Sequence, residues 1–385
     1  MKKRKILFIT GIRSDFYIQN PIIKAVQKSN KLREYVVVSG AHLSKDFGFT
    51  IREIMKYRFN IVAKIDNLKS SDKYSSRLIS ASNQLSKIIK ILEKVKPDFI
   101  IAPYDREESI TIALAGAYMN IPVAHLGAGD RTRVNIDGVI RHSVTKLSSL
   151  SFCFTKENAD RVKKMGEEKW RVFNVGHTAF DRYQIAKKIS IKKLSKYLDL
   201  SFLKEPLLLL IQHPVSNWVE KTENHYRISL SAIDNLNLPT VIIKSNSDPG
   251  SNIMKSVFKR FKFKNKKVRY FENLPEEIFI NIVKNAKVLL GNSSMGVLEA
   301  PYLKLPVVNI GLRQKDRQNA GNIKFVPHRK TAIIKAVKKS LFDKNYLRHI
   351  KSLKNPYKKG AAQKIVEILS RVKLDKKLLN KKITY

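Results

Sequence analysis

The segment Gly291 to Pro301, GNSSMGVLEAP, follows an apolar run and places small residues and hydroxyls where a chain turns from strand into helix. Free backbone N–H groups there, with the Ser293 and Ser294 hydroxyls, would face an anion, and Glu299 one turn later would accept from ribose hydroxyls. The same residues equally describe a Ser-capped helix that only satisfies its own amides. Arg13 in GIRSDF and Arg313 and Arg317 in IGLRQKDR also follow apolar runs. Such arginines hold a diphosphate through two parallel donors, or pair on the surface with a neighbour such as Asp15.

Acids are scarce, 32 Asp+Glu against 75 Lys+Arg, so their grouping at strand ends is informative. Asp105, Glu107 and Glu108 follow DFIIA, while Asp130 and Asp137 lie in the polar loop after PVAH. If those strands are neighbours the carboxylates converge, and like charges held close push one pKa upward, leaving an acid and a base at one pH. The alternative is that these acids neutralise Arg106, Arg131, Arg133 and Arg141 in loop ion pairs. His213, ahead of Pro214, is a phosphate donor, a proton carrier or a structural histidine. Asn246 and Asp248 follow another apolar run, VIIK.

These residues need elements to hold them. Strands are expected at Lys5 to Thr10, Glu34 to Ser39, Asp98 to Ala102 and Pro122 to His125, with helices at Pro21 to Lys28, Ser82 to Val95 and Ile110 to Met119 between them. From Glu205 the pattern restarts with LLLLIQ, TVIIK, KVRYF, KVLLG and PVVNI, separated by amphipathic stretches. Alternating strands and helices predict doubly wound parallel sheets, and ligands of such sheets sit beyond the carboxyl ends of the strands. The expected class is therefore α/β, with two Rossmann-like domains facing a cleft. The boundaries predicted are an N-terminal domain over 1–180 with the acids, a Lys-rich hinge over 181–204, a nucleotide-binding domain over 205–365 and a basic tail over 366–385. The last residues, Asp375 to Tyr385, read as solvated.

A chain of 385 residues with 43% hydrophobic content has enough core for two domains, and its formal net charge of +43 does not make it a disordered basic chain. Lysine is spread through nearly every segment, so the charge reads as a solvated surface; no specific nucleic-acid partner is expected, only a weak attraction to acidic membrane surfaces. One cysteine, Cys153, excludes an internal disulfide and a multi-cysteine zinc site. GxGxxG and GxxxxGK[ST] are absent, so the sequence implies no nicotinamide cofactor. The basic start MKKRKILFIT leads into too short an apolar run for a signal peptide, which gives the cytoplasm as the expected location.

Taken in order, GIRSDF, APYDREES, NIPVAHLGAGD, NIDGVIRHSVTK, RVFNVG, QHPV, GNSSMGVLEAP and VVNIGLRQKDR resemble the hydrolysing UDP-N-acetylglucosamine 2-epimerase family, in the branch serving sialic-acid-type sugars, from about residue 4 to about residue 360. The resemblance implies a GT-B-like pair of domains closing over a UDP-sugar, as a homodimer or a dimer of dimers. It implies elimination of UDP across C1–C2 to a 2-acetamidoglucal, then addition of water to give the free 2-epimer, with no metal or other cofactor in the chemistry. By position, Arg13, Arg106, His213, Asn246, Ser293, Ser294, Glu299 and Arg313 correspond to nucleotide and diphosphate contacts. Asp105 and Asp137 correspond to the carboxylates of proton transfer, and Asp130 stands where relatives carry Glu or Asp. Three positions depart from the pattern: Tyr104 replaces a glycine, Gly127 an acid or histidine, and Gly138 an acid. A GT-B glycosyltransferase or a catalytically lapsed nucleotide-sugar binder are the alternatives.

Overall fold

The computed structural model describes residues 2–384 apart from 70, 72, 74, 133–135 and 201–204. Arg133, one of the loop arginines named above, lies outside the described residues. The first domain holds a parallel sheet of strands β1 (Arg4–Thr10), β2 (Leu32–Ser39), β3 (Ile61–Ile65), β4 (Phe99–Pro103), β5 (Val123–Leu126), β6 (Leu150–Cys153) and β7 (Val172–Asn174), in the order 3-2-1-4-5-6-7. The second holds β8 (Leu208–Ile211), β9 (Thr240–Ile243), β10 (Val268–Phe271), β11 (Val288–Gly291), β12 (Val307–Ile310) and β13 (Ile323–Val326), in the order 10-9-8-11-12-13.

Continuous apolar strands are what two-sided burial requires, and the residues divide by parity. Ile6 and Phe8 join Val36, Val38, Phe99 and Ile101 in one core layer. Leu7 and Ile9 join Val37, Ile100 and Ala102 in the layer on the other face. Leu208 and Leu210 separate in the same way from Leu209 and Ile211. The strand order reverses between β1 and β4 and again between β8 and β11, and these switch points open the crevices where ligands bind. The segments just beyond these four strands carry Arg13, Asp105, His213 and Ser293.

Two expectations about the chain's organisation are corrected. The tail is docked, although most of the described residues after Asp375 remain exposed: Val366, Leu369 and Leu378 join Ile365 in completing the first domain's core beside Ile6 and Phe8. Arg171 donates to the carbonyls of Lys377, Leu378 and Asn380, and Lys381 Nζ donates to those of Thr145, Lys146 and Ser148. Apolar residues every three or four positions in the helix Ala361–Arg371 are the physical reason, because they have a first-domain face to bury. The described part of the expected hinge, 181–200, is also structured. Within it the helix Ile191–Leu198 packs Leu194 and Leu198 into the second domain's core. Asp181, where the hinge was expected to begin, accepts from the N–H groups of Gly360 and Ala362 and so caps the helix Ala361–Arg371. The two crossings between domains are thus bonded to each other. Among the described residues no helix is long and apolar enough to cross a membrane.

Candidate active site

Between the sheets the cleft divides into two chambers. One, with about 700 Å³ of atom-free space including its mouth, is lined by Asp105, Asp137, Arg106, Arg141 and Arg313. The other, about 1090 Å³ on the same measure, is lined by Arg13, His213, Ser293, Glu299 and an apolar set that includes Phe47, Leu274 and Phe279. Ile12, Ser14, Ile18, Asn246, Ser294 and Leu298 line both, so the chambers are continuous.

In the first chamber the acids arrive from neighbouring strands, β4 and β5, as the convergence argument requires. Asp105, just beyond β4, accepts from Arg141 in the helix Asp137–Leu147. Asp137 opens that helix, with Arg77 Nη1 3.8 Å and Arg313 Nη2 3.9 Å from its carboxylate. Asp130 stands behind the chamber wall, bonded to Arg317 of the second domain, with Arg141 Nη1 at 3.6 Å. Two buried carboxyls close to this chamber are raised toward neutral pH. Burial, then Glu107 beside it, pushes Glu108 up to about 8. Burial pushes Asp15 up to about 6 against the donors Thr10, Gly11 and Ile12.

The second chamber is built from turns. Gly291 at φ 115° ends β11 where any side chain would collide with the Ile211 carbonyl, which lets the chain swing into Ser293 and Ser294. The helix that follows the turn is short: it spans Met295–Leu298, and a 3₁₀ turn follows at Ala300–Leu303. Glu299 sits at the junction because Pro301 cannot extend an α-helical ladder. Its Oε2 accepts from Arg182 Nη2 and Tyr183 Oη, both at 2.7 Å. Burial raises this carboxyl, but Arg182 and then the Tyr183 hydroxyl outweigh it and hold Glu299 below the usual range. His213 Nδ1 accepts from the Asn246 N–H at 3.2 Å, which leaves the ring proton on Nε2. Burial, followed by Arg313, pushes this histidine down to about 3, so at neutral pH it is an uncharged donor. Arg13 begins the helix Arg13–Gln27 and reaches across to Asn273 Oδ1 at 2.6 Å.

The family model for UDP-N-acetylglucosamine 2-epimerase matches residues 24–370. The chain belongs to this family. It is 34% identical to a Campylobacter jejuni protein named GDP/UDP-N,N'-diacetylbacillosamine 2-epimerase (hydrolyzing), over 84% of each chain. It is 29% identical over 98% of each chain to a Legionella pneumophila protein named UDP-N,N'-diacetylbacillosamine 2-epimerase (hydrolyzing). The Neisseria meningitidis UDP-GlcNAc 2-epimerase, solved bound to UDP-GlcNAc, superposes with a TM-score of 0.79 at 22% identity, over 95% of this chain and 99% of that one. The epimerase is thus an enzyme with the GT-B-like pair of domains that its sequence implied.

Two of the epimerase's departures from the family pattern occupy one space. Tyr104 adopts φ 58°, a left-handed conformation that costs a side-chain-bearing residue about 1–2 kcal/mol. Its ring lies 5.3 Å from that of Phe154, and a Cβ at Gly127 would come within 3.2 Å of both rings. The tyrosine at 104 therefore fills the volume that a side chain at 127 would need. Gly138 is confined separately, by the Thr132 carbonyl. Neighbours not singled out from sequence are Arg182 and Tyr183, and Asp248 was marked only by its place beyond a strand. Arg182 and Asp248 bond across the domain gap, and nothing local in sequence marks a partner more than a hundred residues away.

Proposed function

We propose that this epimerase converts a UDP-linked 2-acetamido sugar, UDP-N-acetylglucosamine or its 4-acetamido-4,6-dideoxy relative UDP-N,N'-diacetylbacillosamine, into UDP and the free 2-epimer. The observation that carries the reading is the continuity of an acid-lined chamber with one lined by turns, hydroxyls and apolar side chains. The nucleotide takes the second chamber, with its base against the apolar wall, a ribose hydroxyl on Glu299 and the diphosphate near Ser293, Ser294, Arg13 and the His213 Nε2–H. These neutral and cationic donors favour the charge that UDP gains as it leaves.

The sugar then lies in the first chamber. The C2 proton passes to a carboxylate of the Asp105 and Asp137 pair while the C1–O bond breaks and UDP departs with that electron pair, leaving a C1–C2 double bond. Water supplies hydroxyl to C1, and a proton returns to C2 on the opposite face. Arg141 and Arg313 hold the two carboxylates apart and oriented. The test is turnover in D₂O: UDP appears without an acceptor and the product sugar carries deuterium at C2. Acceptor-dependent UDP release with protium retained at C2 overturns the reading in favour of glycosyl transfer.

A further inference from the structure

Asp248 lies on the loop between β9 and the helix Ser251–Arg260, and its carboxylate is buried where the two domains meet. Oδ1 accepts from Arg106 Nη1 of the first domain at 2.7 Å, and Oδ2 accepts from Asn246 Nδ2 at 2.6 Å. Arg313 Nη2 is 4.0 Å from Oδ2. Three residues expected as nucleotide contacts therefore converge on one that was not. Arg106 is committed further: its Nη2 donates to Glu107 at 3.2 Å, and Glu108 lies 3.6 Å from its Nε.

A carboxylate only accepts, so the end of the Asn246 amide that meets it must be the NH₂. The other end, Oδ1, is buried without a partner, and Asn246 lines both chambers at their junction. We propose that Asp248 turns Asn246 so that its carbonyl oxygen, and not its amide nitrogen, meets the bound sugar nucleotide. Asn246 then accepts from a hydroxyl or N–H of the sugar, and a phosphate oxygen, itself an acceptor, has nothing to gain from it. Asp248 is a positioning residue that acts through Asn246. The inference rests on the function proposed above.

The test compares KM for UDP-N-acetylglucosamine with the inhibition constant of UDP, which lacks the sugar. Asn246→Ala, at a half-buried position, is expected to raise KM about tenfold, the worth of one hydrogen bond, and to leave the UDP constant within about twofold. Asp248→Asn keeps an acceptor for Arg106 but no longer dictates the amide's orientation, so it shifts KM and spares the UDP constant in the same way. The double variant is no worse than Asn246→Ala alone. An unchanged KM, a UDP constant that rises in step with KM, or losses that multiply in the double variant overturns the orientation. A wild-type chain that neither turns over the sugar nucleotide nor binds UDP overturns the functional reading, and this inference with it.

Discussion

The two chambers are built on opposite plans. In the acid-lined one each of Asp105 and Asp137 already faces an arginine, so the wall is a closed ionic lattice that spans both domains through Arg106–Asp248, Arg313–Asp137 and Arg317–Asp130. In the second chamber the ion pairs are local, Glu299 with Arg182 and Glu272 with Lys244, and the rest of the wall is largely hydroxyls, turn amides and apolar side chains. Under the function proposed above, the lattice fixes groups whose geometry decides a rate, and the softer wall provides area and donors that decide an affinity. Changes in the first should therefore appear in turnover or stability, and changes in the second in nucleotide binding.

The sharpest way to break that division is Asp105→Asn. Loss of a proton-transfer group lowers rate by about 10²–10⁴, and UDP affinity should stay within a few-fold in a calorimetric titration. A large loss of UDP affinity would mean that the chambers are not separable. Next, Arg317→Met removes one partner of the buried Asp130 and should cost about 3 kcal/mol, because Arg141 remains beside the stranded carboxylate. Denaturant unfolding measures this. Glu299→Gln should weaken UDP by about 1–3 kcal/mol with kcat little changed, and an unaltered UDP dissociation constant would take Glu299 out of the nucleotide site.

The smallest effects come from pH. Burial pushes His42 and His213 down to about 3 and His125 and His177 down to about 4. Each binds a proton more readily when unfolded, so stability is lost as pH falls from about 6.5 toward those values. Glu108 works in the opposite direction. With its carboxyl raised from 4.5 to about 8, the folded state holds a proton that the unfolded chain has released, and stability falls as pH rises through that window. Melting temperatures should therefore drop on acidification below pH 6.5, and Glu108→Gln should gain more over the parent at pH 8 than at pH 5. An equal gain at both would show that Glu108 is ionised in the folded state.

The strand ends were the legible part of the molecule. Apolar runs marked β1, β2, β4, β5 and β8 to β12, and the polar residues just beyond them line the cleft. The short strands β6 and β7, and β3 and β13 at the sheet edges, have weaker patterns, three to five residues each, and escaped notice. What periodicity could not supply was partnership. Asp130 and Asp137 look alike in sequence, but Arg317, from the other domain, draws Asp130 behind the wall while Asp137 stays in the chamber. Likewise the tail's lysines suggested solvent, whereas Leu378 and the carbonyls that Arg171 gathers decide its docking.

Because residues 361–384 complete the first sheet's core, the order in which this chain is finished differs from the order in which it is written. Arg4 donates to the carbonyls of Leu369 and Val372, so the first strand and the C-terminal end of the helix Ala361–Arg371 are fastened on one domain. The second domain is in effect an insertion, and during vectorial synthesis it can close on its own core while the first still waits for its last helix. A nascent chain stalled after residue 352 would leave Ile6 and Phe8 without Ile365 and Leu369.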